Sequence, residues 1–251
     1  MSSRKAEQGN EAIRKNVEKA RQRIRHACEL SGRDPETVRI LLMTKSVPVA
    51  TVRQVLEMEE NLIGEKNESE LKEKLEKLDD HQLEVHFLGS LLQGKYEDVL
   101  DHIDCVQTLD RYDIACEMND YLKKIGRKLD VLIQVNTSFG KNRGGIIPEH
   151  SIRLVLQVAR LPFLRIRGLM TLGPEEAFPE KSKTAYRLLK NLSQEIEILE
   201  IPGVEMEILS MGTDHDYKWA IREGATMVHL GSSVFGMEED PDQYYWDEDD
   251  F

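Results

Sequence analysis

Three short stretches of this chain carry residue types whose chemistry could act together. The first is Val38-Arg-Ile-Leu-Leu-Met-Thr-Lys-Ser-Val-Pro48, a run of apolar and β-branched residues that reads as a buried strand bounded by Pro48. Lys45 stands at its carboxyl end. An amine there, beside a barrel's interior, is placed to form a Schiff base with an aldehyde. The plainer alternative is a lysine that carries its charge into solvent where a strand ends. The second stretch, Ser210-Met-Gly-Thr213, follows a strand-like segment and leads toward a helix, where hydroxyls and free N–H groups attract anions. The third, His229-Leu-Gly-Ser-Ser233, contains a small turn whose backbone can approach an anion closely. Taken singly, each loop also fits an ordinary helix cap or turn.

The elements that must position these residues alternate along the whole chain. Residues 4–31 are helical in pattern, with Ile13, Val17, Ala20, Ile24 and Cys28 three or four apart, and Gly32 and Pro35 end that helix. Strand-like segments then begin at 38, 61, 84, 103, 129, 164, 205 and 226. Helical patterns stand between them at 49–59, 67–78, 94–100, 111–125, 148–160, 179–199 and 213–223. This alternation with short connections predicts a single closed (β/α)8 TIM barrel with an extra N-terminal helix. An open doubly wound sheet would carry GxGxxG after its first strand, and Thr44-Lys-Ser-Val-Pro48 is nothing like it.

In such a barrel the site lies at the carboxyl ends of the strands, and the loops after strands seven and eight recurrently hold phosphate. Lys45, Gly64 with Glu65, Gly89 with Ser90, Asn136, Thr171, Ser210–Thr213 and His229–Ser233 are the residues offered there. The loop Phe139-Gly-Lys-Asn-Arg-Gly-Gly145 lacks P-loop spacing and reads as a solvated connection. His86 reads as a satisfied core histidine, and no residue set has metal-ligand spacing.

Composition narrows the function classes. The net charge of −12 excludes a nucleic-acid or anionic-membrane partner, either of which needs a basic face. No segment approaches the ~20 apolar residues of a membrane helix, and the N-terminus lacks a secretory core. Cys28, Cys105 and Cys116 have no CxxC spacing, which predicts a reduced, cytoplasmic protein without structural zinc. Residues 1–236 form the expected barrel domain. Residues 237–251, with Glu238-Glu-Asp-Pro-Asp242 and Asp247-Glu-Asp-Asp250, are expected to be a solvated, mobile acidic tail.

Thr44-Lys45-Ser-Val-Pro48, Ile63-Gly-Glu65, His86-Phe-Leu-Gly89, Val131-Leu-Ile-Gln-Val-Asn-Thr-Ser138, Gly168-Leu-Met170, Ser210-Met-Gly212 and Gly231-Ser-Ser-Val-Phe-Gly236 stand in one family's order and spacing. From its first helix to Gly236 the chain resembles the pyridoxal phosphate homeostasis proteins. The resemblance implies a barrel like the N-terminal domain of alanine racemase, with pyridoxal 5′-phosphate (PLP) as a Schiff base on Lys45. It also implies that Ser210, Gly231 and Ser232 meet the phosphate, and that Asn136, Met211, Gly212 and His229 complete the cofactor site.

The implied role is handling of the vitamin B6 cofactor by a monomer, with PLP-dependent apoenzymes as possible recipients. The alternatives are a PLP-dependent racemase or lyase, or a phosphate-binding barrel enzyme that does not use PLP. Racemases of this fold take their second base from a further C-terminal domain, and the roughly fifteen residues after Gly236 leave no room for one, so little turnover is expected. Several positions depart from the family pattern: Lys66 replaces an asparagine, Asp214 a serine and His229 an arginine, and Gly-x-Leu-Gln-Ser-Asn-Lys reads Gly89-Ser-Leu-Leu-Gln-Gly-Lys95. Asp214 would compete with a bound phosphate. His229, with an ordinary value near 6.5, is expected to titrate between about pH 5 and 8.

Overall fold

A computed structural model describes residues 2–78, 82–90, 97–141, 143–174 and 178–236. The acidic tail and the start of the helix expected at 94–100 lie outside the described residues. After the first helix, α1 (Ser2–Leu30), strands and helices alternate in chain order: β1 (Arg39–Met43), α2 (Val49–Leu56), β2 (Leu62–Glu65), α3 (Glu68–Leu78), β3 (Glu84–Phe87) and α4 (Glu97–Leu100). There follow β4 (Cys105–Leu109), α5 (Tyr112–Ile125), β5 (Leu129–Gln134), α6 (Pro148–Val158), β6 (Leu164–Met170), α7 (Pro179–Ile198), β7 (Val204–Thr213), α8 (Tyr217–Arg222), β8 (Met227–Leu230) and α9 (Ser232–Phe235). The strands are parallel and close in sequence order, with β8 returning to β1 through Leu41↔His229 and Leu42↔Leu230.

Alternation along each strand divides the buried residues into two sets. Leu41, Leu62, Cys105, Leu132, Met170 and Met227 fill the barrel interior. Leu42, Ile63, Val106, Ile133, Leu169 and Leu209 face the helical shell. The extra helix buries the predicted stripe of Ile13, Val17, Ala20, Ile24 and Cys28. Asn16 Nδ2 ties it to Val234 O at 3.0 Å, and the following Arg33 Nη1 donates to Ile221 O and Ala225 O, both at 2.7 Å. These bonds hold α1 against α8 and α9. Helix α5 ends on Gly126 at φ +69°, a left-handed cap that glycine adopts without strain.

Two strand ends bear on the site. Strand β5 ends at Gln134: Val135 N–H still donates to Met170 O at 2.8 Å, but Asn136 N–H turns away to bond Ile146 O at 2.9 Å. Strand β7 runs on to Thr213, so Ser210–Thr213 is a strand end and not the helix entrance expected from the sequence. Gly212 allows this with φ +93°, because a Cβ there would lie 2.5 Å from Ala220 Cβ. The strand end therefore lies directly on α8, and its pairing with β8 shifts register between Ser210 and Thr213.

Candidate cofactor site at the barrel mouth

Pairing of β1 with β8 sets the segment after Met43 beside the turn after Leu230, although the two are at opposite ends of the sequence. Between them is a cavity of about 310 Å³, lined by Lys45, Ser46, Lys66, Gly231 and Ser232 and walled by Met43, Val47 and Phe235. That size is at the lower end for small-ligand sites. Lys45 is exposed at the rim, not packed against the barrel interior as its place at a strand end implied.

The backbone on either side of Lys45 is held by a buried ionic cluster. Lys74 Nζ donates to the carbonyl of Thr44 and to Glu65 Oε2. Thr44 Oγ1 donates to the same Glu65 oxygen at 3.0 Å, and the other oxygen accepts Lys66 N–H at 2.8 Å. On the far side, Ser46 N–H donates to Glu70 Oε2 at 2.6 Å. Glu65 and Lys74 are 0 % and 4 % exposed, so their charges are tolerated because they meet each other and further hydrogen-bonding groups. Lys66 keeps an exposed side chain, yet its ammonium is pushed below the usual lysine range, first by desolvation and then by Lys45 and Arg143. In a chain of charge −12, Lys45 and Lys66 bring two amines to this one cavity.

The turn after β8 is already engaged by an anion. Asp214 Oδ2 accepts from Gly231 N–H at 3.0 Å, Ser232 N–H at 3.2 Å and Ser232 Oγ at 3.1 Å. Its Oδ1 accepts from Ser233 N–H at 3.2 Å and from Ser233 Oγ. The turn is thus a working anion cradle, and its donors suit a phosphate as they suit this carboxylate.

The remaining candidates sit elsewhere. Ser210 Oγ lies in the barrel interior, donating to Gln107 Oε1 at 2.6 Å and bonded to His229 Nε2 at 2.7 Å. Gln107 Nε2 lies 2.6 Å from His86 Nδ1, and His86 Nε2 lies 2.8 Å from Glu84 Oε1. Donor bookkeeping along this chain fixes the tautomers. The amide donates to His86 Nδ1, so His86 carries its proton on Nε2. Ser210 donates to Gln107, so His229 donates from Nε2 and its Nδ1 is bare. Asn136 Nδ2 donates to Gly140 O and Arg143 O, each at 3.0 Å, and braces the loop after β5. Met211 faces the helical shell, one residue out of phase with inward-facing Ser210. Among the described residues no group of three or more His, Cys, Asp or Glu is placed to hold a metal ion, and no helix is long and apolar enough to cross a membrane.

The expectation that His229 titrates near neutral pH does not hold. Burial first, then Lys66 and His86, push its pKa down to about 3, so it is neutral throughout pH 5–8. This ties stability to acid. Below pH 6.5 the unfolded chain protonates this ring, whereas the folded chain does so only near 3. The stability it contributes is therefore present above 6.5 and lost as pH falls toward 3. By pH 4.5 the loss is about 2–3 kcal/mol. Urea unfolding at pH 7 and 4.5 should show a pH dependence shallower by that amount in His229→Gln; equal slopes would mean that the ring is solvated. Glu84, held down to about 2 chiefly by its bond to His86, adds acid sensitivity in the same direction at lower pH.

Sequence reasoning offered Glu65 at its strand end without a role, and did not find Glu70, Lys74 and Gln107 as site residues. The Glu70/Lys74 spacing of four on α3 was the available signal for part of the cluster.

The model of the alanine racemase N-terminal domain family matches residues 10–239. The pyridoxal phosphate homeostasis protein of Haemophilus influenzae is 33% identical over 227 residues, covering 89% of this chain and 95% of that protein. An unknown protein from Bifidobacterium adolescentis superposes with a TM-score of 0.87 at 26% identity, over 90% of this chain and 96% of that one. PipY of Synechococcus elongatus superposes with a TM-score of 0.77 at 25% identity, over 83% and 97%, and has been solved both without PLP and with PLP bound. The match across the barrel, at this identity and coverage, means that the chain belongs to the alanine racemase N-terminal domain family and, within it, to the pyridoxal phosphate homeostasis proteins.

Proposed function

We propose that this chain binds PLP at the barrel mouth and serves in intracellular handling of vitamin B6, with Lys45 as the residue that carries the cofactor. One cavity shared by an exposed lysine amine and an anion cradle supports this reading, because PLP needs an amine for its aldehyde and donors for its phosphate. The relatives' names and the PLP-bound form of PipY agree with it. When bound, PLP supplies an electrophilic aldehyde and a ring able to withdraw electrons.

Lys45 would hold the cofactor at its aldehyde end through its exposed amine. Gly231 and Ser232 would hold the phosphate through backbone N–H and hydroxyl groups, while Lys66 in the cavity wall would favour its charge. Ser210 acts through His229, whose Nε2 it holds. His229, neutral and buried in the barrel interior where the family has arginine, does not supply the carboxylate that a strong electron sink needs. The role inferred is therefore to carry or buffer the cofactor, as a cytoplasmic monomer that supplies apoenzymes, and not to turn over amino acids.

Titrating PLP into the purified protein tests this directly. A visible Schiff-base band should appear and be lost on borohydride reduction, with the reduced adduct mapped to Lys45 by peptide mass spectrometry. No band at saturating PLP would overturn the reading in favour of a barrel enzyme that binds phosphate without PLP.

A further inference from the structure

We propose that Asp214 is the specificity-determining residue of this site: its carboxylate holds the donors that a ligand phosphate would use, and so lowers the preference for PLP over phosphate-free pyridoxal. This inference rests on the PLP reading above. Its basis is that both Asp214 oxygens are engaged on one turn, by three consecutive backbone N–H groups and two serine hydroxyls. A phosphate needs the same donors. It also carries up to two negative charges, so it cannot settle beside an ionised carboxylate in a space built for one anion.

The side chain can be displaced without rebuilding the site. Asp214 is half-buried at the end of β7, within reach of water. Two residues on, Asp216 is buried and accepts from Thr213 N–H at 2.8 Å, Thr213 Oγ1 at 3.0 Å and the Tyr186 hydroxyl. That second carboxylate anchors the loop backbone, so Asp214 alone must rotate outward when phosphate enters. Pyridoxal makes no such demand, because its aldehyde needs only Lys45 on the other side of the cavity. Asp214 therefore acts on phosphorylated ligands selectively, as a resident competitor.

The test is a pair of affinities on the full chain, read by absorbance titration with PLP and with pyridoxal. In Asp214→Ser the affinity for PLP should rise by about tenfold or more, while that for pyridoxal stays within about twofold. Asp214→Asn keeps the shape and one acceptor but removes the charge, and should fall between the two. Inorganic phosphate should compete with PLP more strongly in the serine variant than in the unchanged chain. PLP and pyridoxal affinities that move together, or not at all, in both variants while PLP is still trapped on Lys45 would overturn the inference and leave the PLP reading standing. If PLP is trapped on Lys45 in none of the three proteins, the PLP reading itself fails, and this inference with it.

Discussion

Purified Lys45→Ala protein is expected to retain no borohydride-trappable PLP, where the unchanged chain retains about one equivalent. Lys45 and Lys66 both line the cavity, so Lys66 is the natural rival. Its amine is more easily deprotonated than an ordinary lysine, which favours attack on an aldehyde. Lys45 is nevertheless the residue whose backbone is braced on both sides, through Thr44 and Ser46. Because Lys45 is exposed, the substitution should change folding stability by no more than about 0.5 kcal/mol, and loss of the adduct cannot then be blamed on unfolding. Lys45→Arg, which keeps the charge and cannot form a Schiff base, should behave like alanine. An adduct that survives in Lys45→Ala and maps to Lys66 would move the cofactor to the second lysine.

Lys74→Ala should destabilise the fold by about 3–5 kcal/mol, because it strands a fully buried carboxylate. Glu65 would keep the Thr44 hydroxyl and the Lys66 N–H but lose its counter-charge, and the Thr44 carbonyl would lose its donor. Urea unfolding would show this as a lower midpoint with an unchanged slope. The double variant Lys74→Met with Glu65→Gln should recover part of the loss, since it removes both charges at similar volume. A single-variant loss under about 1 kcal/mol would mean that water reaches the pair. PLP trapping in the folded fraction of Lys74→Ala should also weaken, because the same amine fixes the peptide before Lys45.

Much of this was readable from the residues. The barrel was legible because eight apolar runs alternate with helical patterns, and Lys45, Gly231 and Ser232 because they stand at strand ends that closure brings together. Lys74 was not, since a lysine on the charged helix α3 has the same pattern whether it meets water or a buried glutamate from β2. Met211 could have been placed by strict alternation from Ser210, because neighbours on a strand face opposite sides. His229 was misjudged because burial, not residue type, sets its protonation. Asn136 could not be placed, since the loop that it braces follows β5 and has no regular pattern of its own.

The in-order closure of the barrel has a consequence for how the protein is made. Seven of the eight strand pairings join neighbours in sequence, whereas the pairing of β1 with β8 spans nearly the whole chain. The amine and the cradle come from the two sides of that last seam, so neither half of the site can hold a ligand alone. A nascent chain still lacking β8 has no cavity to offer, however much of the barrel has assembled. Ligand that binds only the closed form then acts as a clasp on the seam, slowing the opening of β1 from β8 in proportion to its free concentration. For a protein that handles a reactive aldehyde, capture would begin only when the chain is complete.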